Sequence, residues 1–333
     1  VSASPAIDAA PFIKDIGRGR DNPTDLDFER ARTLWRAVLG QQLDPVALGG
    51  VLIAMRVKGE SVVEMGGFLE ACDDGMLRLD APAGQPVPVV IPSYNGARKL
   101  ANLTPLLALL LASKRVPVLV HGSSGGRDIP AGRARRVTSA EILAALGIDA
   151  SRSADDVYAR WSSFAPAFVD IADLHPALDR VLQMRRILGV RNSAHSLCKL
   201  LQPVNSRALC LSSFTHPEYH AMLEALYALP AISATRDVLL LRATEGEAVC
   251  NARRASAMQW YRDGISEALE PDDSGPMLTP KGLPQSFGVA ETATYIEAVL
   301  AGRLDVPGPI AWQVESIMRA RAARLRAIEL SSR

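Results

Sequence analysis

Between residues 87 and 241 short apolar runs alternate with longer stretches of helical period, and this pattern constrains the fold more than any other feature of the chain. Val87-Pro88-Val89-Val90-Ile91, Val116-Pro117-Val118-Leu119-Val120, Ala208 to Leu211 and Val238 to Leu241 each read as a buried strand. Among the intervening segments, Thr104-Pro105 opens an apolar helix through Ala112, with Thr104 as its cap. Thr138 or Ser139 caps a helix ending near Leu146-Gly147, and Pro217 to Leu226 reads as another. Strands that alternate with helices argue for a mainly parallel α/β sheet. The runs do not alternate apolar with polar residues, so helices must cover both faces of that sheet.

The first part of the chain has a different character. Residues 8–75 read as short helices, with apolar positions recurring through Ala31, Leu34, Trp35, Val38 and Leu39, and again through Val46, Leu48, Val51, Leu52 and Met55. Gly40 is a stop for the first, and Asp44-Pro45 is a start for the second, with proline at the first helical position. Asp80 to Gln85 is a turn-rich hinge, which divides a helical domain (1–80) from an α/β domain (81–333).

Composition sets the outer limits. With 333 residues, 48% hydrophobic and 22% charged, the chain is neither disordered, collagenous nor a coiled-coil array. Lys+Arg of 37 against Asp+Glu of 36 excludes a strongly basic protein but not a basic face. Four cysteines without paired spacing exclude a disulfide framework and a zinc ribbon, and fit a reducing cytoplasm. The apolar run from Pro105 to Ser113 is about half the ~20 residues of a spanning helix. The first residues lack the basic-then-apolar order of a signal peptide, so a cytoplasmic location is expected.

Open parallel sheets bind ligands beyond the carboxyl ends of their strands. Those ends here carry residues 92–99 (including Asn95 and Gly96), 121–126 (His121-Gly122-Ser123 onward), 212–216 and 242–247. All are small and polar, which suits either a phosphate-accepting crevice or ordinary turn chemistry. Basic residues cluster in two windows: Lys114, Arg115, Arg127, Arg133, Arg135 and Arg136 against Asp128 alone, then Arg185, Arg186, Arg191, Lys199 and Arg207 without an acid. Both suit a polyanion. The terminal arginines Arg319, Arg321, Arg324 and Arg326 read as a solvated face, except that Arg321 falls among apolar positions and should meet a partner surface or an acid. Metal signals are weak. His216-Pro217-Glu218-Tyr219-His220 is a helix start rather than H-E-x-x-H, and His121, His175 and His195 are isolated. Cys72, Cys198, Cys210 and Cys250 have apolar neighbours and read as core. Glu245 and Glu247 flank a glycine, where they would hold Mg²⁺ with a phosphate, cap a helix, or pair with Arg253 and Arg254.

The loops, in this order, resemble the anthranilate phosphoribosyltransferase family. His121-Gly122 is similar to the centre of its Lys-His-Gly-Asn-Arg loop, and Thr138 to Gly147 to its Ser-Ala-Asp-x-Leu-Glu-Ala-Leu-Gly helix. Leu174 to Ala177 and Met184 to Arg191 resemble the segment that supplies the anthranilate-contacting arginine, a position Arg185 would take. Asn102 and Thr104 match its Asn-x-Ser-Thr stretch, and the helix Val289 to Leu300 matches its late helix. The resemblance implies a small α-helical domain, completed by part of 172–200, and a larger α/β domain of the nucleoside phosphorylase type. It also implies a dimer formed through the helical domain.

The chain departs from that family at its reactive loops. Ser93-Tyr94-Asn95-Gly96-Ala97 stands where the family has the Gly-Thr-Gly-Gly-Asp diphosphate loop, and of the metal-holding Asp-Glu pair Glu247 alone matches. The substituted stretches Arg191 to His195, Lys199 to Leu201 and Thr244 to Glu247 resemble the YbiB-like branch, which implies a homodimer that binds nucleic acid without sequence preference. On that reading Lys199, Arg185, Arg186, Arg191 and the basic residues from Lys114 to Arg136 face DNA or RNA. The alternative is Mg²⁺-assisted transfer from phosphoribosyl diphosphate to an aromatic or purine-like acceptor. Asn102, Thr104, His121, Ser123 and Glu247 would then hold the ribose phosphates, and Arg185 the acceptor. A scaffold that binds another protein is a third reading.

Overall fold

The computed structural model describes residues 7–18, 24–125 and 135–331. Helices α1 (Ala10–Ile16), α2 (Phe28–Leu39), α3 (Pro45–Lys58) and α4 (Val62–Ala71) come first. They are followed by β1 (Val89–Ser93), α5 (Thr104–Ser113), β2 (Val118–Gly122), α6 (Ser139–Ala145), α7 (Ala154–Ser162) and β3 (Ala167–Asp170). Short helices α8 (Ile171–Leu174), α9 (Pro176–Gln183), α10 (Arg185–Leu188) and α11 (Ala194–Leu197) lead to β4 (Ala208–Phe214), α12 (Pro217–Ala228), α13 (Pro230–Ser233) and β5 (Arg236–Arg242). The last part holds β6 (Arg254–Ala255), β7 (Met258–Arg262), β8 (Ile265–Leu269), β9 (Gly275–Pro276), α14 (Val289–Leu300) and α15 (Gly308–Ser331).

The main sheet has seven strands in the order β3-β2-β1-β4-β5-β7-β8. β1 to β5 run parallel, and β7 and β8 are added antiparallel at one edge. Successive strand residues enter two different cores. Val90, Leu119, Val169, Cys210 and Leu240 pack with the helical layer that includes α2, α4 and α9. Val89, Ile91, Val118, Val120 and Leu239 pack with α5, α6, α14 and α15. Burial on both faces is why the strands read as unbroken apolar runs. The fold is thus a small helical domain with a larger α/β domain around a mostly parallel sheet.

Local chemistry sets the element ends. Asp44 caps α3 from Val46 N–H, with Pro45 at the first position, and Gly40 ends α2. Trp35 of α2 stacks on Phe68 of α4 at 4.7 Å between ring centroids. The two helices approach so closely that a Cβ on Gly67 would lie 2.5 Å from the Phe28 carbonyl. Thr138 and Glu141 form a reciprocal capping box on α6.

Several expectations are corrected. The first two strands begin two residues later, at Val89 and Val118, because Pro88 and Pro117 lack the N–H that a ladder needs. Thr104 does not cap α5: its own N–H donates to Asn102 Oδ1, 3.1 Å away. Arg321 donates to the Val87 carbonyl at 2.8 Å, and meets no acid among the described residues. β3, β7 and β8 were not anticipated. The signal for the last two was Asp263-Gly264, both at positive φ (49° and 76°), the dipeptide of a tight two-residue hairpin.

Two residues at the end of β2 generate predictions. Gly122 pairs with Ser93 on β1, and a Cβ there would sit 1.9 Å from the Ser93 carbonyl. Gly122→Ala is expected to cost ~3 kcal/mol in urea unfolding, because two backbones must part. His121 is fully buried, neither ring nitrogen finds a hydrogen-bond partner among the described residues, and burial pulls its pKa down from 6.5 to about 4. The folded state therefore resists a proton that the unfolded chain accepts, so the penalty is absent above pH 6.5 and grows as pH falls toward 4. His121→Leu should lack this component, and the stability difference between the two proteins should change by about 3 kcal/mol across that window. Parallel stability–pH curves would refute the assignment.

Candidate anion-binding site at the strand ends

The ends of β1 and β5 are tied by one carboxylate. Glu247 is buried, with one oxygen accepting from the Ser93 hydroxyl and the other from Gly96 N–H at 2.7 Å. Burial pushes its pKa up, and the bonds from Ser93 and Gly96 oppose that rise. Ser93 also meets the Ser139 hydroxyl at 2.6 Å, and Asn102 Nδ2 donates to Ser139 at 3.0 Å. Ser93, Asn102, Thr104, Ser139 and Glu247 are all buried beneath the loop. Gly246, at φ 92°, lies so near Asn95 that a Cβ would come within 2.4 Å of its amide nitrogen.

The backbone amides that a phosphate loop offers to a ligand are occupied here by the chain's own acids. Glu247 takes Gly96 N–H, and Glu245 Oε2 takes those of Arg98 and Lys99 at 2.6 and 3.2 Å. On the neighbouring strand end, Asp170 accepts from Ser124 N–H at 2.7 Å and from its hydroxyl. Among the described residues neither glutamate caps a helix or pairs with Arg253 or Arg254.

A cluster of cations lies above this web. Arg98, Lys99, Arg136, Arg191 and Lys199 line a cavity of about 370 Å³, in which Glu245 is the one acid among the described residues. Arg136 donates to the Gly96 carbonyl at 2.9 Å, and Arg191 to Asn95 Oδ1 at 3.2 Å. Burial lowers the pKa of Lys199, and the positive charges of Arg191 and Arg136 push in the same direction. Arg136 is lowered likewise by burial and by Arg98 and Arg191. These like charges crowd one another. Arg191 and Lys199 also border an adjoining cavity of about 250 Å³ with Arg56, Glu60, His195 and Tyr219.

The two basic windows therefore divide. Arg136, Arg191 and Lys199 meet in the crevice, joined by Arg98 and Lys99, which sequence reasoning had treated only as loop residues. Arg185 is buried on α10, Arg186 is exposed beside it, and Arg135 pairs with Glu141. Arg127 and Arg133 lie outside the described residues. Lys114 and Arg115 precede β2, and Arg207 precedes β4, at the opposite ends of the strands. Arg207 pairs there with Asp237 and Asp263, and Arg324 bonds the same two acids. Of the other anticipated residues, His121 and Gly122 are built into the sheet, and Ser123 Oγ accepts from Gly125 N–H at 3.3 Å. His216 starts α12, and His220 packs against Phe214.

Mg²⁺ asks for several oxygen ligands in near-octahedral array. Glu247 is buried with both oxygens engaged, Glu245 is held by amides, and among the described residues no three His, Cys, Asp or Glu side chains gather as a metal-binding group. This donor set does not fit the ion.

Comparison with known proteins accords with this geometry. Residues 10–74 match the glycosyl transferase family, helical bundle domain. The uncharacterized protein YbiB of Escherichia coli is 40% identical over 304 residues, covering 90% of each chain. Anthranilate phosphoribosyltransferase of Deinococcus radiodurans is 27% identical over 280 residues, 83% of this chain and 79% of that one. Among solved structures, the Thermus thermophilus anthranilate phosphoribosyltransferase superposes with a TM-score of 0.66 at 24% identity, covering 94% of this chain and 88% of that one. The Saccharomyces cerevisiae enzyme, solved in complex with phosphoribosyl diphosphate and Mg, gives 0.67 at 16% identity over 95% of both chains. With 40% identity to YbiB along nine-tenths of its length and the transferase fold throughout, the chain belongs to the anthranilate phosphoribosyltransferase family, in its YbiB-like branch.

Proposed function

We propose that the protein is a cytoplasmic homodimer that binds DNA or RNA without reading sequence. The observation that carries this reading is the gathering of Arg98, Lys99, Arg136, Arg191 and Lys199 around one open crevice with a single acid among the described residues. Crowded like charges on a surface favour a ligand that brings several negative charges at once. Guanidinium and ammonium groups contact phosphates and carry no base code by themselves. All four cysteines are free and buried, which suits a reducing compartment.

The homodimer is supported by an apolar face. Val46, Ile53 and Val57 fall on one side of α3 at helical spacing and are exposed, as are Ile187 and Val190 beyond it. Val46 is 85% and Ile187 81% accessible, values that large apolar side chains seldom keep across a whole patch. Ile53 and Val57, with Gly49, Gly50 and Leu188, border a shallow apolar concavity of about 500 Å³. A two-fold copy of the same face would cover it.

Phosphoribosyl transfer is the second reading, supported by the relatives that bear that name. The internal bonding of Gly96, Arg98 and Lys99 amides and the unsuited Mg²⁺ donors weigh against it, because that chemistry depends on charge stabilisation of a leaving diphosphate.

Binding of labelled single-stranded DNA should fall by about 2.5 to 4 decades between 50 and 200 mM salt if 6–10 phosphates are contacted. The double variant Arg191→Ala/Lys199→Ala should reduce the salt slope by about two. A flat salt response removes the proposal, and micromolar calorimetric binding of phosphoribosyl diphosphate with Mg²⁺ moves the transferase reading to first place. Ile53→Glu should convert a sedimenting dimer to monomer, whereas a wild-type monomer would remove the dimer.

A further inference from the structure

Glu245 occupies an unusual position for its residue type. Its φ is 55°, a left-handed conformation that glycine adopts freely and glutamate does not. One oxygen of its carboxylate accepts from the successive amides of Arg98 and Lys99, and the side chains of those residues, with Arg136, Arg191 and Lys199, surround it. Consecutive amides converging on one anionic oxygen inside a ring of cations is the arrangement by which backbone loops hold a phosphate. Here the oxygen belongs to the chain itself.

We propose that Glu245 is a tethered stand-in for an anion and is the residue that sets which anions this crevice accepts. A small free oxoanion must displace a carboxylate whose attachment keeps it at high effective concentration beside the two amides. A long polyanion has no such competitor. It engages the exposed heads of Arg98 and Lys99 and the rim formed by Arg191 and Lys199, and leaves the amide seat filled. The crevice thereby selects for charge spread along a chain over charge concentrated in one small ion. The second half of this inference rests on the nucleic-acid reading above; the first half, that Glu245 blocks an oxoanion seat, stands without it.

The test is calorimetric titration of inorganic pyrophosphate, without metal and at low salt, into wild type, Glu245→Gly and Glu245→Gln. Glycine suits the backbone angle, so Glu245→Gly should keep its thermal midpoint while freeing both amides and removing the acid. It should bind pyrophosphate roughly 10- to 100-fold more tightly than wild type, the effect of exposing charge-assisted donors. Glu245→Gln keeps an acceptor oxygen but loses the charge, and should gain less. If wild type binds pyrophosphate as tightly as Glu245→Gly, or neither folded variant gains, the proposal is overturned. Single-stranded DNA titrated into the same three proteins separates the two readings. Failure of wild type to bind DNA removes the nucleic-acid assignment, while a pyrophosphate gain in the variants still upholds the role of Glu245.

Discussion

The crevice depends on a buried carboxylate. Glu247 reaches from the loop after β5 to the hydroxyl and amide of the loop after β1, and so fixes the relative height of two strand ends that are not neighbours in the sheet. A carboxylate taken out of water is costly unless its lone pairs are filled, and here Ser93 and Gly96 fill them. The consequence reaches outward. Once Gly96 is held, Asn95 is placed to bond Gly246 and Arg191, and Arg136 finds the Gly96 carbonyl. The cations are thus assembled on a loop whose shape is set from beneath by an acid.

The same arrangement shows how a transferase fold comes to carry a loop whose amides are already paired. Anion-binding loops work because their amides are left unpaired until a ligand arrives. In this chain Glu245, Glu247 and Asp170 pair those amides in advance. Backbone geometry is retained and chemical availability is not. What remains available are side-chain charges at the rim, which tolerate ligands of varied shape.

Much of the fold was legible because it rests on short-range rules. Unbroken apolar runs marked sheet strands, Asp44-Pro45 and Thr138 marked helix starts, and the prolines explain why two strands begin late. The missed hairpin β7–β8 carries mixed polar and apolar residues, as an edge of the sheet must, and its signal was only two residues long. The site was less legible. Glu247 was recognised as important, but spacing along the chain does not reveal whether a carboxylate faces a ligand or the loop beside it. The basic windows were visible as windows, yet Arg136 and Arg207 lie at opposite ends of the strands, and Arg98 and Lys99 joined the cluster from a loop outside both windows.

Net charge alone would suggest indifference to polyanions, since the chain carries only +1. The distribution says otherwise. Beside the amino ends of β4 and β5, Arg207 and Arg324 are compensated by Asp237 and Asp263, and Arg319 by Glu267 at the edge hairpin. Past the carboxyl ends, Arg98, Lys99, Arg136, Arg191 and Lys199 gather around Glu245. A near-neutral body can still carry a cationic face of this kind. Under the nucleic-acid reading proposed above, that face would turn toward a negative rod before contact, while the small net charge would leave the protein free to let go.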